Sequence, residues 1–159
     1  MAVIRSANII DADKISRLVS STARDHIGPT LGESGLETLL CSMDLYSTRQ
    51  RLDDGWPSFC ALKDGNLVGV VVVRPPSHLY HLFVSTDFQG NGIGRALFEV
   101  ADGRAIELAG IPLQTVNSSL NVVAVYEQFG FVPQGQVSEI DGVKFQPMVR
   151  NAMTRTETS

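Results

Sequence analysis

Residues Val84 to Leu97 read Val-Ser-Thr-Asp-Phe-Gln-Gly-Asn-Gly-Ile-Gly-Arg-Ala-Leu, and this stretch decides how the rest of the chain is understood. An apolar run, Leu79 to Val84, enters it as a strand, and an amphipathic helix leaves it. Between the two, Gly90, Gly92 and Gly94 strip side chains from the backbone where the free N–H groups of a helix N-terminus converge. Such a junction suits an anion, most often a phosphate.

The alternating glycines also fit a dinucleotide fingerprint, but that reading wants the motif after the first strand and an acid about 20 residues later on the next strand. Here the motif lies mid-chain, and the next apolar run, Leu113 to Ser118, offers no acid. A P-loop needs Gly-Lys-Ser/Thr, which is missing. A plain glycine turn without a ligand is the remaining alternative.

Over the whole chain the composition is that of a soluble globular domain: 159 residues, 43% hydrophobic and 19% charged. We expect a single domain over residues 1–151 and a polar tail over 152–159. A net charge of -4 without a basic tract argues against nucleic-acid binding. The longest apolar run, Leu67 to Val73, is too short to cross a bilayer and contains Gly69. The first residues lack a signal-peptide layout, and Cys41 and Cys60 sit in apolar settings without metal-ligand spacing. We therefore expect reduced, structural cysteines, no metal, no membrane and a cytoplasmic address.

Periodicity gives a coarse order of β-α-α-β-β-β-α-β-α-β-β, hence an α+β fold with a mixed, mostly antiparallel sheet. A strand over Ala2 to Arg5 precedes a helix starting at Asp11, with Ile15, Leu18, Val19 and Thr22 on one face. Ser34 and Glu37 read as a capping box for a second helix carrying Leu36, Leu39, Leu40 and Met43. Strands Ser58 to Lys63 and Asn66 to Val73 are joined through Asp64-Gly65, a hairpin signal. The strand His78 to Val84 leads to the glycine loop and a helix with Ile93, Leu97, Val100, Ala101 and Leu108 inward. A short helix, Val122 to Phe129, and a hairpin turned at Asp141-Gly142 close the chain.

Gln89-Gly90-Asn91-Gly92-Ile93-Gly94-Arg95 after Leu82-Phe83-Val84 resembles the acetyl-CoA-binding signature of the GNAT N-acetyltransferases. A second segment agrees: Asn117-Ser118-Ser119, then Ala124, Tyr126-Glu127 and Phe129-Gly130-Phe131. The resemblance runs from the first strand to the closing hairpin. It implies the GNAT fold, a sheet of six to seven strands with about four helices, splayed between strands 4 and 5.

By the same resemblance, the pantetheine arm lies in the splay against the backbone of Leu82, Phe83 and Val84, a form of strand addition. The pyrophosphate rests on N–H groups from Gly90 to Arg95, including Asn91, Gly92, Ile93 and Gly94. Gln89 frames the loop, and Arg95 either faces a phosphate or is solvated. Either Asn117 or Asn121 bonds the arm; Ser119 stands where the family often has an asparagine. The implied activity is transfer of an acetyl group from acetyl-CoA, as cosubstrate, to a primary amine of a small molecule or peptide, without metal or covalent enzyme intermediate.

That chemistry needs a proton for the departing thiolate and fixed donors for an oxyanion, the latter from an N–H near Val84. Tyr126 is the candidate acid, against a reading in which it packs with Val122, Val125 and Phe129. For the base, His78 and His81 are three apart on one strand and so point to opposite faces. His81 is the candidate, against an ordinary sheet histidine. His26, Glu33 and Glu37 are further residues that could touch the acceptor. A binding-only acyl-CoA sensor and, behind it, a nucleotide-binding domain are the alternatives, and a homodimer is compatible with the fold.

Overall fold

The computed structural model describes residues 2–150; the polar tail expected over 152–159 lies outside them. The strands are β1 (Val3–Ser6), β2 (Ser58–Lys63), β3 (Asn66–Arg74), β4 (His78–Val84), β5 (Thr115–Ser118), β6 (Val132–Pro133), β7 (Ser138–Ile140) and β8 (Val143–Val149). The α-helices are α1 (Ala12–His26), α2 (Glu33–Cys41), α3 (Leu45–Asp53), α4 (Ile93–Ala109) and α5 (Val123–Gln128). In space the strands run β1-β2-β3-β4-β5-β8-β6, with β7 beside β8. Every pairing is antiparallel except β4 with β5. Among the described residues, no helix is long and apolar enough to cross a membrane.

The mixed, mostly antiparallel sheet agrees with the sequence, although eight strands and five α-helices exceed the expected counts. The helix that sequence missed is α3. Its Tyr46-Ser-Thr-Arg-Gln-Arg face is polar, so it has no apolar stripe, and only Thr48 is buried. Its signal was the cap: Asp44 accepts the Ser47 N–H at 2.8 Å. The Ser34–Glu37 capping box is corrected. The helix begins earlier, with Gly32 at its N-cap and no side-chain cap bond, and it ends at Cys41, so Met43 is buried from the following turn. Cys41 is exposed rather than packed, whereas Cys60 is buried and burial pushes its thiol up to about 12.

The centre of the sheet is β3, where Val68 and Val70 to Val73 are all buried. That run lacks alternation because helices cover both faces. Val68, Val71 and Val73 join a core with Leu97, Phe98 and Ala101 of α4. Val70 and Val72 join a second core with Ile15 and Val19 of α1 and Met43. On α4 the buried residues are Ile93, Leu97, Phe98, Ala101 and Ala105; Val100 and Leu108, expected inward, are 36% and 67% exposed. Val100 lies about 100° around the helix from the buried stripe, and Leu108 sits in the last turn.

Two features place the functional region. Gly69 in β3 lets the start of α4 lie against the sheet: a Cβ there would be 2.9 Å from Leu97 Cδ1 and 3.3 Å from Ile93 Cγ2. The far side is tied by Arg150. It pairs with Asp102 of α4, donates from Nε to the Leu113 carbonyl at 2.9 Å, and lies over the Phe98 and Phe131 rings. Asp102 also accepts the Leu113 N–H at 2.8 Å, so one carboxylate joins α4, the approach to β5 and the end of β8.

Asp102→Ala leaves a mostly buried guanidinium and a backbone N–H without their acceptor, and is expected to cost about 2 kcal/mol. Urea denaturation checks this; an unchanged midpoint would show that the tie contributes nothing.

Candidate active site

β4 and β5 pair only at His78 with Thr115 and Leu79 with Val116. From Tyr80 and Asn117 onward the strands part, and β5 turns its other edge to Pro147 and Gln146 of β8. The parting leaves one edge of β4 open. Ser85 N–H bonds back to Val68, on the β3 side, so by alternation Val84 and Leu82 direct their backbone groups into the gap. Phe83 directs its own toward β3, where its carbonyl lies against Gly69. The expectation that Leu82, Phe83 and Val84 all present exposed backbone is corrected: Phe83 turns to β3, and Val84 keeps only its N–H for the gap, its carbonyl accepting from Gln89 Nε2.

The glycine loop follows. Gly90 and Gly92 adopt φ of +82° and +80°, where a side chain is strained, and nothing lies within 4 Å of where a Cβ would be. Gly92 is the N-cap of α4 and supplies no side chain. The first N–H to find a carbonyl is that of Ala96, on Gly92 at 3.1 Å. Among the described residues, the N–H groups of Gly90, Asn91, Gly92, Ile93, Gly94 and Arg95 donate to no protein acceptor. In this loop Gln89 Nε2 donates to the Val84 carbonyl at 3.0 Å, and Asn91 Nδ2 to the Phe88 carbonyl at 3.3 Å. Arg95 lies over the Phe129 ring, 5.1 Å from its centroid.

A cavity opens into the gap from each face of the sheet. One, of about 280 Å³, lies between α1, the end of α2 and the start of β8. The other, of about 320 Å³, runs along the glycine loop, α4 and Phe129 of the segment after α5. Both are lined by Leu82, Val84, Gln89, Val122 and Tyr126. The two cavities therefore meet at the open edge of β4, with Tyr126 at the junction.

Tyr126 belongs to the α4-side core and packs edge-on against Phe129 and Phe131. Burial pushes its phenol up to about 12. Its hydroxyl makes no hydrogen bond among the described residues, which leaves a protonated donor facing the junction. His81 lines the α1-side cavity, stacks between Tyr80 and Phe83, and has its Nδ1 3.1 Å from the Tyr80 carbonyl. Its Nε2 is buried without a partner. Burial, with Arg51 nearby, pushes its pKa down to about 3.

His78 bonds Thr115 Oγ1 at 2.8 Å across the short parallel pairing, and burial lowers it to about 4. The opposite-face expectation for the two histidines is corrected. The β3–β4 register shifts between Val72 and Val73, an extra residue (Tyr80) is accommodated, and the alternation is reversed between them.

Asn121 does not lie free in the gap. Its Nδ2 donates to the His26 carbonyl at 2.6 Å, and its Oδ1 accepts the Ser119 hydroxyl at 3.0 Å. His26 Nε2 lies 3.0 Å from Thr86 Oγ1, so the C-terminal end of α1 is fastened to both sides of the gap. Asn117 is exposed, lines the α1-side cavity, and makes no side-chain hydrogen bond among the described residues. Glu33 and Glu37 do not line either cavity. Sequence reasoning missed Tyr80, Met43 and Lys144 as cavity residues, and Arg51 behind Tyr80, 5.1 Å from its centroid. These come from a bulge, a turn, a hairpin rim and the unread α3, none of which carries a periodic signal.

Residues 27–152 match the acetyltransferase (GNAT) domain family. No curated protein matches the sequence. Among solved structures, the fold is similar to a GCN5-related N-acetyltransferase from Rhodopseudomonas palustris: TM-score 0.79, 19% identity, 94% of this chain and 95% of that one. It is similar to PaiA N-acetyltransferase from Thermoplasma acidophilum in complex with coenzyme A, with TM-score 0.71, 16% identity, and 94% and 98% coverage. A third is ribosomal-protein-alanine N-acetyltransferase from Brucella melitensis biovar Abortus 2308, with TM-score 0.63, 22% identity, and 88% and 98% coverage.

The two buried imidazoles set a pH dependence. Both have folded values, about 4 and about 3, below that of an unfolded histidine. Their contribution is therefore complete above about pH 6.5 and is lost as pH falls toward those folded values, because the unfolded chain binds the extra protons. Near pH 5 the slope is expected to reach about 2.5 kcal/mol per pH unit, and His81→Phe to remove about half of it. Urea midpoints between pH 7 and 4.5 measure this; a flat profile would mean that neither ring is held neutral.

Proposed function

Because the chain belongs to the GNAT acetyltransferase family, we propose that it moves the acetyl group of acetyl-CoA to a primary amine by direct attack in a ternary complex. The observation that carries this is the meeting of two cavities from opposite faces at the open edge of β4, beside Tyr126. One cavity then serves the donor and the other the acceptor, and the reacting atoms come together where the lining is shared.

The residues of the α4-side cavity fit coenzyme A. Six consecutive unpaired N–H groups at the start of a 17-residue helix form a cradle for a diphosphate, and the glycines leave it open. Leu82 and Val84 offer backbone groups in the gap, where an extended amide-bearing arm completes the strand. Asn117 has the open amide to join it, while Asn121 serves as a brace. Bound there, acetyl-CoA supplies the acyl group as an activated thioester.

An N–H of the open β4 edge is placed to stabilise the oxyanion. Tyr126 holds its proton at neutral pH and presents it at the junction. Complete transfer from a phenol near 12 to a thiolate with an ordinary conjugate-acid value near 8.5 is uphill by about 5 kcal/mol. The same desolvation raises a thiolate formed beside it, which narrows the gap; until then the phenol stabilises the sulfur as a hydrogen-bond donor. His81, held neutral by burial, is a poor acceptor of the amine's proton. Its role in this reading is to shape the wall of the α1-side cavity.

Tyr126→Phe is expected to lower kcat about 100-fold with the Kd for acetyl-CoA changed less than about two-fold. Free-thiol release and calorimetry measure the pair, and undiminished turnover removes Tyr126 from the chemistry. Gly92→Val is expected to abolish acetyl-CoA binding while circular dichroism shows the fold retained; unaltered affinity refutes the cradle. Thiol release that depends on an added amine separates an enzyme from a binding-only module.

A further inference from the structure

The α1-side cavity is unevenly furnished. Its apolar wall is Ile27, Leu39, Met43, Phe83, Val143 and Phe145, beside uncharged polar groups such as Thr22, Ser42 and Asn117. Its ionisable lining is His26, Tyr80, His81, Tyr126 and Lys144, without an aspartate or glutamate. Arg51 adds a further cation behind Tyr80. A second ammonium on the acceptor would lose its water there without gaining a carboxylate, which is costly. A carboxylate would find Lys144 at the rim; the cross-strand neighbour of Lys144, Glu139, makes no ion pair with it.

The cavity is also bordered by two close contacts. Gly35 of α2 lies on Gly142 in the β7–β8 turn so closely that a Cβ at Gly35 would be 2.2 Å from the Gly142 carbonyl oxygen. On the other side the Asn121–His26–Thr86 bonds fasten the C-terminal end of α1 across the gap. Both contacts narrow the approach to the cavity, which favours a small free molecule over a chain-bound amine.

Resting on the acetyl transfer proposed above, we infer that the acceptor is a small apolar α-amino acid, its side chain in the cavity and its carboxylate toward Lys144. The α-amine lone pair attacks the thioester carbonyl carbon. The N–C bond forms, the C–S bond breaks, and the thiolate ends with the proton that the amine nitrogen loses. The products are an N-acetyl amino acid and free coenzyme A thiol. Neutralising the carboxylate against Lys144 brings the adjacent amine toward the ordinary α-amino value of about 8, against about 10.4 for an alkyl amine. A site with no aspartate or glutamate in its lining, whose buried His81 is held neutral, thereby still obtains a neutral nucleophile.

The test compares leucine, leucinamide, isopentylamine, a leucine-terminated dipeptide and spermidine as acceptors, reading free thiol with saturating acetyl-CoA. Leucine is expected to exceed the others in kcat/KM by about ten-fold, a difference of about 1.4 kcal/mol. Lys144→Glu is expected to shrink the leucine-to-leucinamide ratio about five-fold, a readout that general damage to the fold does not move. Preference for the amide, dipeptide or polyamine, or a ratio insensitive to Lys144→Glu, would each overturn the acceptor assignment alone; no amine consumed although acetyl-CoA binds would overturn the transfer as well. Absence of acetyl-CoA binding by calorimetry would instead overturn the reaction, and the acceptor with it.

Discussion

The constraint on which the molecule depends is the refusal of β4 and β5 to pair beyond Leu79 and Val116. Parallel strands that start together in a sheet normally continue together, because every unpaired N–H and C=O in a protein interior carries a desolvation cost. Here the divergence is built in. β5 is engaged by β8 along its whole length, and α4 is seated against β3 through Gly69, so neither neighbour can swing to close the opening. The exposed edge of β4 is then a standing demand for a ligand that looks like a strand. The cradle, the two cavities and Tyr126 are all arranged around that demand.

What was legible in the sequence follows from how local each determinant is. Asp64-Gly65 and Asp141-Gly142 fixed two hairpins because both turns need positive φ at their two central residues, as the structure has. The glycine loop was readable because the conformation of Gly90 and Gly92 is a property of the loop itself. The long-range features were not. The bulge at Tyr80, which turns His81 to the same face as His78, depends on the register with β3. The brace from Asn121 to His26 joins residues 95 positions apart. α3 was missed because it packs through one buried threonine and a cap rather than a stripe. The glycine-loop side of the site was thus written in motifs, and the α1-side cavity in tertiary contacts.

The titratable groups deep in the sheet are all held neutral, though by different signs of shift. Desolvation raises Tyr126 and Cys60 and lowers His78 and His81. The result is an interior junction free of fixed charge, in which developing charge is met by oriented donors rather than by ions. Around the junction, charge is kept to its borders, at Lys144, at Arg51 behind Tyr80 and at the loop around the start of α4. A thioester attacked by a neutral amine passes through a zwitterionic intermediate, and a fixed anion beside it would stabilise the ammonium at the expense of the oxyanion and the thiolate.

In the acetyl transfer proposed above, packing and catalysis need not compete as explanations of Tyr126. Its contacts with Phe129 and Phe131 fix the ring between two edge-on neighbours, so the hydroxyl is delivered to one point. The same contacts exclude water from the ring, which is what raises its pKa. A tyrosine on a mobile, solvated loop would have an ordinary pKa and no fixed position. The core residue and the proton donor are one arrangement: the aromatic cluster that fills space under α5 also keeps the phenol protonated and aimed at the junction of the two cavities.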